Sequence, residues 1–218
     1  MVRIIGYGED ALTFWALTNM NRSILDKADD SDLSDCIIIY RPSFGRGSKS
    51  GATFGEFDSV LVSKRFVYLI ESKWEHSSEF KKRKETIEIT EVQQRRHRIF
   101  SWYLARWKSN HTMSTFQNEY GSAFIDCFKN EPSEKTMPPV ESTLARNMEK
   151  MLMIIRNHCD RLDEPKNILL FFKNRNSKLA RTPSVDSREP EFRIVIIDYP
   201  SIGDTDFFEM QETEQTVW

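Results

Sequence analysis

Glu9, Leu12, Ala16 and Met20 recur at spacings of three and four, which predicts a helix from Gly8 to about Met20 with an acid on its packed stripe. The polar, acidic residues 26–35 read as a connector, and Cys36-Ile-Ile-Ile-Tyr40 as a short buried strand. A loop rich in Gly and Ser follows, from Arg41 to Gly51. Residues 54–62 alternate and then become apolar, while Phe66 to Trp74 is rich in β-branched and aromatic side chains; together they predict a hairpin. Charged residues fill positions 79–91. Val92, Ile99, Phe100, Tyr103, Leu104 and Trp107 then repeat at helical spacing, so a helix runs to about Lys108.

Farther along, Phe116, Tyr120, Phe124 and Phe128 fall four apart and predict a short helix, and three prolines between Asn130 and Pro139 mark a loop. Leu144, Met148, Met151, Leu152, Ile155, Cys159 and Leu162 form one apolar stripe of another helix, and its Met148, Met151 and Met153 read as core or near-core packing. Strands over 167–172 and 192–199 flank a polar loop from Lys173 to Pro190. The order is helix, strand, strand, strand, helix, a helical insertion over about 109–163, strand, strand. Such an order fits one α/β domain over 1–218, three-layered α/β/α with a mixed central sheet.

Composition agrees: 218 residues with 39% hydrophobic content suffice for one sizeable core. Three cysteines, Cys36, Cys127 and Cys159, are odd in number and widely spaced, which suits a reducing cytoplasm rather than a disulfide framework. The N-terminal MVRIIGYGED reaches acids by its ninth residue and no apolar run is long enough to span a bilayer, so neither a signal region nor a membrane partner is expected. GRGSKSG at 45–51 lacks the spacing of a phosphate loop, which argues against a nucleotide cofactor. His76, His97, His111 and His158 show no zinc-ligand spacing.

Chemistry concentrates in GEFDSVLVSKRFVYLIESKW, residues 55–74. Side chains two apart on a strand share a face, so Glu71 and Lys73 point one way and Ser72 the other. A hairpin can fold Asp58 back beside Glu71, bringing two carboxylates and an ammonium into one small volume. Adjacent carboxylates are kept ionised by a divalent cation, and hard oxygen donors select Mg²⁺ or Mn²⁺ over zinc. The alternative for Glu71 and Lys73 is an exposed ion pair at a strand end, worth little to stability. Glu56 shares a face with Asp58 and could replace it as ligand. Glu9 has a plainer reading as an acid favoured in the first turn of a helix.

Asp58, twelve intervening residues and Glu71-Ser72-Lys73, on consecutive strands after a helix bearing Glu9, resemble the PD-(D/E)XK nuclease superfamily, whose fold is restriction-endonuclease-like. Phe57 stands where the motif's name has proline, a loose position in the family. The resemblance implies that Asp58 and Glu71 bind Mg²⁺ with the Ser72 carbonyl as third ligand, that Lys73 positions the attacking water, and that Glu9 approaches from helix one. It also implies a homodimeric type II restriction endonuclease acting on double-stranded DNA; a structure-selective repair or junction nuclease is the alternative, and a non-catalytic DNA-binding module is the reading from another class.

Arg96 lies near the centre of the apolar arc of its helix and Gln93 at its edge, which suits contact with a phosphate or with the carboxylates; snorkelling past the core rim is the other reading for Arg96. Arg95 and Arg98 read as a solvated or DNA-facing surface. Arg46 and Lys49 in the first polar loop, and Arg175, Lys178 and Arg181 in the second, are candidates for reading bases or phosphates. The net charge of −2 hides a segregation: residues 41–51, 81–108 and 173–190 hold 17 Lys and Arg against 5 Asp and Glu, a balance of +12, so the remainder carries −14.

Overall fold

The computed structural model describes residues 3–30, 35–42, 56–130, 137–177, 179 and 182–210. A short strand β1 (Ile4–Gly6) leads into helix α1 (Gly8–Asn19), then α2 (Asn21–Lys27) and β2 (Ile37–Tyr40). The predicted hairpin is β3 (Ser59–Val62) and β4 (Val67–Trp74). Two very short strands, β5 (Phe80–Lys81) and β6 (Thr86–Glu88), precede helices α3 (Glu91–Arg106), α4 (Met113–Phe128) and α5 (Thr143–His158). Strands β7 (Lys166–Asn174), β8 (Ser184–Asp186), β9 (Arg193–Tyr199) and β10 (Phe208–Met210) complete the chain. The protein is thus mixed α/β, with five helices among the described residues.

The main sheet runs β2-β3-β4-β7-β9 and is mixed: β2, β3 and β4 pair antiparallel, while β4, β7 and β9 run parallel. Strand alternation distributes its side chains to two cores. Val60, Val62, Val67 and Leu69 pack with Phe100, Tyr103 and Leu104 of α3, Phe116 and Phe124 of α4, and Met148, Leu152 and Ile155 of α5. Leu61, Tyr68, Ile70, Ile168, Leu170 and Phe172 pack instead with Leu12, Ala16 and Leu17 of α1 and Ile24 and Leu25 of α2. Helices therefore cover both faces, and the segment expected as an insertion packs into the same core as α3.

Several details differ from expectation. The strand expected at Cys36–Tyr40 is β2 (Ile37–Tyr40), an edge strand whose residues are only half-buried, because β3 covers one side alone. The connector read over 26–35 starts inside α2, and α4 is a full sixteen residues. The charged stretch 79–91 is not featureless: β5, β6 and β8 form a second sheet whose Phe80, Ile87 and Ile89 pack on Phe171 and Phe192. Strands β1 and β10 pair antiparallel, with Gly6 opposite Phe208. Cys127 and Cys159 are free thiols, and no helix among the described residues is long and apolar enough to cross a membrane.

The hairpin is pinned at its turn. Ser63 Oγ and Tyr68 Oη donate to the buried carboxylate of Asp30, at 2.6 and 2.7 Å, and Phe66 N donates back to Ser63 Oγ.

Candidate active site

The register Ser59↔Ile70, Val60↔Leu69 and Val62↔Val67 extends by one pair to set Asp58 opposite Glu71. Both then lie on the α3 side of the sheet, and Lys73 follows on the same face two residues on. Glu71 and Lys73 are 1% and 6% exposed, so a solvated strand-end pair does not describe them.

Asp58 Oδ2 accepts from the backbone N–H of Ser72 at 2.6 Å. Burial, and next the charge of Glu71, push the Asp58 carboxyl up to about 7, against the opposing pull of the Ser72 N–H and Lys73. Glu71 behaves in the opposite way although it is the more deeply buried. Burial works to raise it, but the His97 hydrogen bond and the Arg96 charge overcome this and hold it at about 2. Its Oε1 meets Arg96 Nη2 and lies 3.0 Å from His97 Nε2; its Oε2 accepts from Gln93 Nε2 at 2.9 Å. His97 Nδ1 is in turn 2.7 Å from Asn167 Oδ1 on β7.

The first turn of α3 makes this possible. Thr90 caps the helix and forms a capping box with Gln93, whose Oε1 accepts from Thr90 N at 2.9 Å while its Nε2 faces Glu71. Positions 93, 96 and 97 are three and four apart, so all three polar side chains share the arc that faces the sheet. Phe100 and Leu104 continue that arc as apolar core.

Lys73 Nζ lies 3.5 Å from Glu9 and 4.0 Å from Glu79. Burial would lower the Lys73 ammonium, yet Glu9, Asp58, Glu71 and Glu79 together raise it, so it is a charged donor. Glu9 reaches the site because Gly8, at φ +83° in the left-handed region, turns the chain from extended Tyr7 into α1. Glu9 Oε2 accepts from Trp74 N at 3.2 Å, and burial raises the carboxyl despite Lys73. Glu79 is lowered: burial opposes, but the Ser77 and Ser78 hydroxyls and Lys73 prevail.

Other candidates sit elsewhere. Glu56 pairs with Arg41 at 3.0 Å, and Arg41 also meets Asp10. Arg175 follows β7 and lines a groove with Trp15, Met20, Ile202 and Glu209, apart from the carboxylates. Gln93 and Arg96 converge on Glu71. Arg95 was expected at a solvated surface but is 8% exposed: it shares a flank of α3 with Trp102, which packs under the rings of α4. Arg98 donates to the Glu189 carbonyl at 2.8 Å. Arg46, Lys49, Lys178 and Arg181 lie outside the described residues.

The sequence pattern alone assigns no site role to His97, Asn167 or Glu79. His97 carried a usable signal, being four residues from Gln93 on the arc of Arg96. Asn167 and Glu79 carried none, since only the tertiary fold brings them near.

Among the described residues no three His, Cys, Asp or Glu side chains converge as a ready metal-holding group. The donors are two facing carboxylates and the carbonyl of Ser72 between Glu71 and Lys73. These oxygens fit Mg²⁺ or Mn²⁺: two carboxylates face each other, and burial together with the charge of Glu71 drives Asp58 up to about 7. No family model, curated protein or solved structure matches the chain.

Proposed function

We propose that the chain is a Mg²⁺-dependent endodeoxyribonuclease that hydrolyses phosphodiester bonds in double-stranded DNA, built on a three-layer restriction-endonuclease-like core and working as a homodimeric type II restriction enzyme. The observation that carries this reading is Asp58 in register with Glu71, with Lys73 two residues on at the end of the central strand. Burying and opposing carboxylates is unfavourable for the fold that carries them.

Asp58 and Glu71, with the Ser72 carbonyl, would hold the cation. When bound, it polarises a phosphoryl oxygen and acidifies a water. Lys73, kept charged by its acidic neighbours, donates to the attacking water or to the phosphate rather than accepting a proton. Glu9 holds Lys73 in place and is therefore a positioning residue. Two copies of one site match the two strands of a duplex.

One feature favours the structure-selective alternative. Tyr7 and Phe207 are about half exposed, with ring centroids 4.9 Å apart, and Tyr7 also meets Trp74 at 5.6 Å. Tyr7 and Trp74 neighbour Glu9 and Lys73 along the chain, and the exposed rings offer a surface on which an unpaired base could stack.

Cleavage of long linear duplex and of branched or flapped DNA, with Mg²⁺ or Mn²⁺, tests both readings on wild type, Asp58→Ala and Lys73→Ala. Discrete fragments from linear duplex, lost in both variants, support the restriction reading; cutting of branched substrates alone supports the other. No cleavage of any DNA, or cleavage unaffected by both substitutions, overturns the proposal. DNA binding without cation binding would leave a non-catalytic module.

A further inference from the structure

Glu71 is engaged by three side chains of α3. Arg96 and His97 occupy Oε1, and Gln93 takes one position on Oε2. A carboxylate oxygen has two lone pairs, so Oε1 is saturated.

Arg96 is itself poorly matched to its place. Its side chain is 8% exposed, and its guanidinium carbon lies 5.2 Å from the centre of the Phe57 ring. Only Nη2 reaches Glu71, and the buried Nε has no hydrogen-bond partner among the described residues. Guanidinium and carboxylate groups favour a paired, two-bond approach, with Nε–H available for one of the bonds. Here the contact is end-on and a strong donor is left over.

We propose that Arg96 is a place-holder: it neutralises Glu71 while the site lacks its cation, and gives up that contact to become a phosphate ligand once the cation is seated. The inference rests on the metal-nuclease reading. A divalent cation between Asp58 and Glu71 replaces the charge that Arg96 supplies and repels the guanidinium. A phosphate of a bound strand can then receive two of its N–H bonds. Arg96 starts on the helix face that looks at the carboxylates, so the exchange needs a side-chain movement and no change in the fold.

Two opposite effects distinguish this from a merely structural arginine. Removing Arg96 should tighten cation binding, because a competing positive charge is gone, and should weaken DNA binding in the presence of the cation. A structural role would weaken both.

Calorimetric titration of Mn²⁺ into the DNA-free chain tests the first effect in wild type, Arg96→Met and Arg96→Lys. Arg96→Met should lower the dissociation constant by at least about tenfold, the effect of one partly screened like charge at close range, with Arg96→Lys between it and wild type. Should Arg96→Met fail to fold, the Nε–H resonance of Arg96 in the wild-type protein, assigned with Arg96→Lys, should shift on saturation with Mg²⁺. Equal or weaker Mn²⁺ binding by a folded Arg96→Met chain sinks the place-holder and leaves the metal-nuclease reading standing, as does an Arg96 resonance unmoved by Mg²⁺. If wild type and variants bind neither cation, both fall together.

Discussion

Asp58→Asn should stabilise the cation-free chain at alkaline pH, and the gain should disappear in acid. Asp58 titrates near 3.8 when unfolded and at about 7 in the fold. The folded state thus holds its proton more tightly. The associated stability is fully present below 3.8 and is lost as pH rises through 7. At 1.36 kcal/mol for each pH unit between the two values, ionised Asp58 costs the fold about 4 kcal/mol at pH 8. Of this, about 3 kcal/mol accumulates between pH 5 and pH 8. Asparagine has nearly the same shape and keeps an oxygen for the Ser72 N–H, but carries no charge to be opposed by Glu71. Urea unfolding of both proteins in EDTA at pH 5, 6, 7 and 8 gives the comparison, read from midpoints at matched m-values. A stability difference that stays constant across that range would show that burial and the charge of Glu71 do not raise Asp58 as described. The same series with Mg²⁺ should stabilise wild type and leave the variant unchanged.

Glu71→Gln leaves Arg96 buried without its counter-charge, and the loss should reach about 3–5 kcal/mol in denaturant unfolding. Gln93→Ala removes half of the capping box and one Glu71 contact, for about 1–2 kcal/mol. Gln93→Glu should be worse than alanine, although glutamate suits that box position equally well, because it sets a carboxylate against Glu71; a neutral Gln93→Glu would exclude the Glu71 contact. Gly6→Ala places a methyl 2.6 Å from the ring of fully buried Phe208, and overpacking there should cost about 1–3 kcal/mol in the same assay.

Wherever a long element buries one face, the hydrophobic pattern was enough to find it. The hairpin, α1, α3 and α5 emerge from spacing alone, and period-two alternation correctly sets Glu71 and Lys73 on one face. Asp58 opposite Glu71 follows from that hairpin once its register is known. Strands of two or three residues stayed hidden. Ile87 and Ile89 are isolated in a charged run, and their burial depends on Phe171 and Phe192, far along the chain. Strand β1 pairs with β10, some two hundred residues away, so nothing local marks either. The polar arc Gln93, Arg96 and His97 was half legible: a charge at the centre of an apolar arc signals a buried partner, but the helix does not say which one. Arg95 misled because periodicity knows one packed face, whereas α3 is covered on two.

The turn fastened by Asp30 works as a ruler for a site at the far end of the same hairpin. Val62 to Val67 closes the pairing, and from there the strands count four pairs outward to Asp58 and Glu71. One residue inserted anywhere along that count would present Phe57 or Ser59 to Glu71 in place of the second acid. The core's own alternation would be broken by the same slip, since the residues that seat Val60 and Leu69 against α3 are the ones that do the counting. Selection for a packed interior therefore guards the spacing of the carboxylates, and lesions at Asp30 should travel to the carboxylate pair without touching either of its members.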